Sequence, residues 1–217
     1  MERFFIFDKF NTFYNWHCIL TEKDTTDPEP KTNYVDLDGM HGTLDLSESL
    51  TSEITYKDRN VSASFWTDYG TRADREKLLR DIVRVLHGKK IDIVDPDYPE
   101  HYFKGRVMVT SKKNNIAYAE FTIDAICEPW RYSREASVRV VNVDNNVVDV
   151  VINNHGVKSL SPRITVDGSV TISVNGSSVS ISDGTYMISG IKLKQGTNVL
   201  NVSGDGSVVF EYREATL

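Results

Sequence analysis

The sequence predicts a mainly β, α+β protein, with an N-terminal antiparallel β domain that carries one helix and a C-terminal β-sandwich after it. Three observations predict this. Apolar and polar residues alternate through much of the first 127 residues, the period of half-buried strands. Only residues 71–87 keep helical spacing. From Val138 aromatic residues nearly vanish, and short alternating segments rich in Val, Asn, Ser, Gly and Asp recur between turn signals. The division falls at residues 1–130 and 131–217.

In chain order, Phe4 to Phe7 is a short aromatic strand, and Trp16, Cys18 and Leu20 fall on one face of a second. Residues 21–31 (TEKDTTDPEPK) are polar and hold Pro28 and Pro30, so an exposed loop or long hairpin tip is expected. Gly39 and Gly42 mark a tight turn. Thr43 to Leu46, Ile54 with Tyr56, and Val61, Ala63 and Phe65 alternate, with Lys57 to Asn60 read as a turn or bulge. In the helix, Thr71 is the N-cap and Asp74 the capping-box acid. Leu78, Leu79, Ile82, Val85 and Leu86 form its apolar stripe, and Gly88 ends it. Arg75, Glu76, Lys77, Arg80, Asp81 and Arg84 are assigned to its solvated face. KIDIV (90–94) is a strand. Arg106 to Thr110 and Ala117 to Ile126 are two more, joined by a turn at Ser111 to Asn115.

Pro129 is expected to break the last of these strands and open the domain junction. In the second domain, turns are expected at residues 144–146, 167–168, 175–176, 183–184, 196–198 and 204–206. They separate strands at 138–143, 147–152, 163–166, 169–174, 179–181, 187–193, 199–202 and 208–212.

The formal charge of −6 argues against a primary nucleic-acid binder, although a protein lining a DNA conduit is compatible with it. There is no signal-peptide core and no apolar run of membrane-spanning length, so the chain reads as made and folded in the cytosol. The two cysteines, Cys18 and Cys127, read as reduced, buried thiols.

Candidate chemistry is sparse. No pair among the five histidines has ligand spacing, and no P-loop, dinucleotide fingerprint or nucleophile elbow is present. Asp95 with Asp97, and Asp36 with Asp38 and Asp45, are minor cation candidates. Trp130 and Tyr132 are a minor sugar-stacking candidate, more readily explained as anchors of the junction. The residues call for no catalytic group, metal or cofactor.

One set of motifs carries a resemblance. The glycine turn (Gly39, Gly42) is followed by Leu44-Asp45-Leu46, then Tyr56 and Arg59 ahead of an alternating strand. Pro129 lies in CEPWRY, and the chain closes on Gly196, Asn198, Phe210, Tyr212 and Arg213. Taken in order, these resemble the distal tail proteins (Dit) of long-tailed phages and prophages, over nearly the whole chain.

The resemblance implies a tail-tube-like, ring-forming first domain and a galectin-like sandwich. It implies a non-enzymatic, hexameric hub in the virion tail, assembled in the bacterial host cytoplasm and joining the tail-tube protein to the tail-tip or baseplate hub protein. DNA would pass only through the lumen, with no membrane partner. A host-surface glycan or receptor-binding protein is a further possible partner, and a carbohydrate-binding sandwich or a tail-tube subunit is the alternative. The 21–31 loop or the Lys112-Lys113 hairpin is the expected arm to a neighbouring subunit.

Overall fold

The computed structural model describes residues 4–50, 52–174 and 176–217. Among these described residues fourteen strands and one helix follow one another. They are β1 (Ile6–Phe7), β2 (Phe10–Asn11), β3 (Ile19–Thr25), β4 (Tyr34–Asp36), β5 (Thr43–Asp45), β6 (Arg59–Thr67), α1 (Arg72–Leu86), β7 (Lys90–Val94), β8 (His101–Asn114), β9 (Ala119–Ser133), β10 (Ser137–Asn154), β11 (Arg163–Val174), β12 (Ser177–Met187), β13 (Gly196–Tyr212) and β14 (Ala215–Thr216). The chain divides into a compact unit ending at Trp130 and another spanning Arg131–Thr216.

In the first unit one antiparallel sheet runs in the order β2-β1-β7-β8-β9-β6-β3. Its inward face carries Val61, Ala63 and Phe65 of β6 and Phe121, Ile123 and Ala125 of β9, all buried. Phe65 stacks on Phe121 with centroids 5.4 Å apart, and Phe5 and Phe7 meet Phe65 edge-on. Such pairs add about 0.5–1.5 kcal/mol each beyond area burial. Helix α1 covers part of this face with Leu79, Ile82 and Leu86.

The expected caps are present. The Thr71 hydroxyl accepts from the Asp74 amide, the Asp74 carboxylate accepts from the Thr71 amide, and Gly88 takes φ +80°. Those bonds from Thr71 hold the Asp74 carboxyl below its ordinary pKa.

Arg75 departs from the solvated face assigned to it. It is 2% exposed, and its guanidinium donates to the carbonyls of Gly70, Asn115 and Ile116. Those acceptors lie in the helix approach and at the β8–β9 hairpin tip, distant in sequence from most of the helix.

The sheet is strongly curled. Three strands separate β7 from β3, so a flat sheet would hold them roughly 19 Å apart at the usual strand spacing. Yet Lys23 Nζ of β3 lies 2.6 Å from Asp95 and 2.7 Å from Asp97, just past the end of β7. The Asp95 side chain is fully buried, and Thr25 also donates to it. Residues 21–25, expected in a loop, are therefore an edge strand paired with β6. The rest of that segment is pinned by Pro30 bridging Tyr56 and by the Lys57–Glu29 ion pair. Trp16 and Cys18 are buried but precede β3, in turn and loop geometry.

In the second unit one four-stranded sheet runs β10-β13-β11-β12. The turn signals at 144–146, 167–168, 183–184 and 204–206 do not reverse the chain; they lie inside long strands. Asp144 pairs with Asp205, Gly168 with Gly206, and Val166 with Gly184, with register shifts at Asp144/Asn146 and Val166/Ser169. The four signals form one line across the sheet, and the expected short strands on either side of it in β10, β11 and β13 are halves of single strands. Residues 187–193 leave β12 at Met187, and β13 already begins at Gly196.

Val141, Val143, Val150 and Ile152 of β10 join Ile164, Val166, Val170 and Ile172 of β11 and Leu200, Val202, Val208 and Phe210 of β13 in one core. Both halves of one face thus enclose the same core, and the sheet curls along the glycine line. Gly168, Gly204 and Gly206 have φ of +110°, +120° and +139°. A Cβ on any of them would run into a backbone carbonyl of the neighbouring strand. Of the expected hairpin turns, the one at 175–176 joins β11 to β12, with Val174 opposite Ser177; Asn175 itself lies outside the described residues.

Two outcomes test this fold. Gly206→Ala is expected to cost more than about 2 kcal/mol in urea denaturation, whereas Gly176→Ala, with open space around it, costs about 1 kcal/mol. Lys23→Met leaves Asp95 buried without its ammonium partner and is expected to cost about 2–3 kcal/mol, below the figure for a wholly buried pair because Lys23 is 20% exposed. Burial alone would lower the Lys23 pKa, but its hydrogen bonds to Asp95 and Asp97, with their charge, hold it above 10.5. The pair's contribution is therefore full below about pH 10.5 and is lost as pH rises through the folded value, which the wild-type and variant melting curves will show by converging.

Candidate assembly interface

Gly39 and Gly42 sit between β4 and β5, with φ of +85° and +80°. They let the chain reverse into a two-stranded hairpin, Tyr34–Asp36 against Thr43–Asp45, that lies off the main sheet. Asp45 accepts from the Ser47 hydroxyl and amide, which holds its carboxyl below the ordinary value. Alternation in Thr43–Leu46 predicted half-burial, yet Leu44 is 37% exposed. Tyr34, Leu37, Met40 and Ile54 are exposed too, and Leu50 is 98% exposed. A hairpin and following loop that show this many apolar side chains to solvent have the character of a docking arm. The sequence motif marked the turn, but not the exposure of the apolar side chains around it.

The other motif residues have packing or hydrogen-bond partners of their own. Tyr56 bridges Pro30 and packs edge-on against Trp130, with centroids 5.5 Å apart. Arg59, read as part of a turn, instead opens β6 on its inward face. It is 2% exposed, and its guanidinium lies over the Phe103 ring at 5.1 Å. Cys127 is its register partner, and a Cβ on Gly105 would strike the Cys127 Sγ, so the glycine makes room for this cluster.

Pro129 does not break β9, which runs on to Ser133. The β6 ladder ends at Cys127 and the β14 ladder begins at Arg131, so on that side of β9 Pro129 lies in the gap between two sets of partners. In the second unit, Tyr212 donates to the Asn153 carbonyl, and Arg213 donates to the carbonyls of Ser133 and Arg134. Tyr212 and Arg213 thus close the second unit's own chain.

The minor candidates for chemistry resolve differently. Asp95 and Asp97 do converge, but on the Lys23 ammonium, which occupies the place a cation would take. Among the described residues no group of three His, Cys, Asp or Glu side chains is placed to hold a metal ion. No helix among them is long and apolar enough to cross a membrane.

The first unit also offers strand edges. Among the described residues β3 pairs with a strand on one side only, β6. The β7 ladder covers β8 from Phe103 to Arg106, and backbone or side-chain bonds extend that cover to Val109. From Thr110 to Lys113 no strand lies on that side of β8 among the described residues, and at Asn114 the side chain donates to the Arg72 carbonyl and the Glu76 carboxylate of α1. Lys112 and Lys113, expected in a turn, belong to this open stretch of strand.

No protein-family model matches the chain, and no curated protein matches it. Among solved structures, the crystal structure of Dit (gp 19.1) of SPP1 matches with a TM-score of 0.70, covering 97% of this chain and 98% of its own. That protein is described as a paradigm of the hub adsorption apparatus in phages that infect Gram-positive hosts. At 14% identity the likeness is one of fold. It is the same protein type that the motifs resemble.

Burial pushes the Cys18 and Cys127 thiols up to about 12; the Thr67 hydrogen bond and the Arg59 charge, respectively, oppose this only in part. Both thiols are expected to resist a disulfide reagent at pH 8 until urea unfolds the chain. Because their folded pKa values exceed the unfolded 9.0, stability is expected to fall from pH 9 toward 12, by about 1.4 kcal/mol per pH unit for each thiol. Thiol titration and chemical denaturation across that range check both statements.

Proposed function

We propose that this chain is a structural, non-enzymatic phage tail protein: a distal tail hub whose copies, six in number, close into a ring joining the tail tube to the tail tip or baseplate. Its place is the virion tail, with assembly in the bacterial host cytoplasm and DNA passing through the lumen. The observation that carries this reading is the likeness of fold to the SPP1 hub protein along nearly the whole of both chains.

The first unit's surface supports it physically. The free edge of β3 and the open stretch of β8 are two different edges of one sheet. Copies joined through unlike edges repeat head to tail, and such contacts form a ring when the rotation closes. Edge pairing would cover backbone groups that otherwise invite aggregation. The apolar hairpin of β4 and β5 adds a second surface to bury. In the second unit Tyr132, Tyr186, Phe210 and Tyr212 are all at least partly buried, which does not favour a sugar-stacking face there.

Light scattering behind a sizing column, over a concentration series, is expected to give a hexamer mass, and negative-stain images of that peak are expected to show rings with a central hole. A monomer at every concentration, alone and with tail tubes added, would overturn the hub reading.

A further inference from the structure

The two open edges of the first unit carry opposite charge. Glu22 and Asp24 stand on β3, opposite Ser64 and Ser62 of β6, and Asp27 follows just beyond the strand; all three acids are exposed. The basic groups nearby are already engaged, Lys23 by Asp95 and Asp97, and Lys57 by Glu29. On the open stretch of β8, Lys112 and Lys113 are exposed, and Ile116 at the adjoining hairpin tip is 88% exposed. Among the described residues none of these three acids and two lysines has an ion-pair partner in its own chain.

They do not pair with one another within a copy: β9 and β6 lie between β8 and β3, and none of the ion pairs joins the two edges. Successive strands from β8 to β3 alternate in direction, so β3 of one copy is antiparallel to β8 of a copy set beside it in the same orientation.

We infer that the Lys112-Lys113 edge of one copy pairs with the acidic β3 edge of the next, Glu22 and Asp24 foremost; neighbouring residues of a strand point to opposite faces, so one of the two lysines meets the face that Glu22 and Asp24 share. The contact is with a second copy of this chain and rests on the ring reading. Its chemistry keys the order of assembly, since acid edge against acid edge and lysine against lysine are both repelled.

Charge reversal tests it. K112E/K113E and E22K/D24K are each expected to weaken self-association at least roughly tenfold, and the four substitutions combined to restore it to within about threefold of wild type. The readout is the light-scattering mass across protein concentration, with circular dichroism melts to confirm that these surface variants fold. For the wild type, raising salt from about 0.05 to 0.5 M is expected to weaken association, a result independent of any substitution. If rings form but neither reversal nor salt alters them, or if the combined variant is no better than either reversal alone, the charged contact is overturned while the ring stands. A wild-type chain that never self-associates overturns both.

Discussion

A sheet that is to enclose a core must either be covered by another layer or curl onto itself, and in both units of this chain curling does most of the work. In the first unit, the contact of Lys23 with Asp95 and Asp97 draws β3 toward the end of β7, across a span that flat strands could not close. Helix α1 then has only part of the concave face to cover. Among its described residues the second unit has no helix, and backbone meets backbone along the line of Gly168, Gly204 and Gly206. The phenylalanine core of one unit and the valine-rich core of the other both depend on these curls.

How legible each part was in the sequence follows from the range of the interactions that decide it. Helix α1 and strand β7 were readable because a capping box, a 3.6-residue stripe and a short apolar run are all local. The glycine line was not, because Asp-Gly chemistry looks alike whether a chain reverses or bends; only the pairing of Asp144 with Asp205 and of Gly168 with Gly206 distinguishes the two. Pro129 misled for a related reason. Whether its missing N–H matters depends on where the ladders of β6 and β14 stop. Arg75 was placed on the solvent face of its helix, and its burial depends on carbonyls of a hairpin tip about forty residues further on.

The candidate interface was legible only in outline. Gly39 and Gly42 announced a turn, and of the two elements nominated as arms, residues 21–25 of the 21–31 segment lie on edge strand β3 and Lys112-Lys113 lie on β8. Alternation in Thr43–Leu46 suggested half-burial because period two records that a strand has two unlike faces. It does not record whether the chain's own core covers either of them. Leu44 and Tyr34 keep strand geometry while facing solvent. Arg59 shows the reverse case: its charge suggested a turn, while its position in the β6 alternation placed it inward, over Phe103.

The strand order of the second unit bears on how it is born. β13 is synthesised after β10, β11 and β12, yet it lies between β10 and β11 and pairs with both along nearly their whole lengths. As the chain leaves the ribosome, only the β11–β12 hairpin can form from neighbours in sequence. β10, with the core residues Val141, Val143, Val150 and Ile152, waits without a partner until β13 emerges. Sheets closed by their last-made central strand fold late and slowly and expose apolar edges meanwhile. The second unit is therefore the part of the nascent chain most in need of protection during translation, whereas every strand and the helix of the first unit's core have by then already been made.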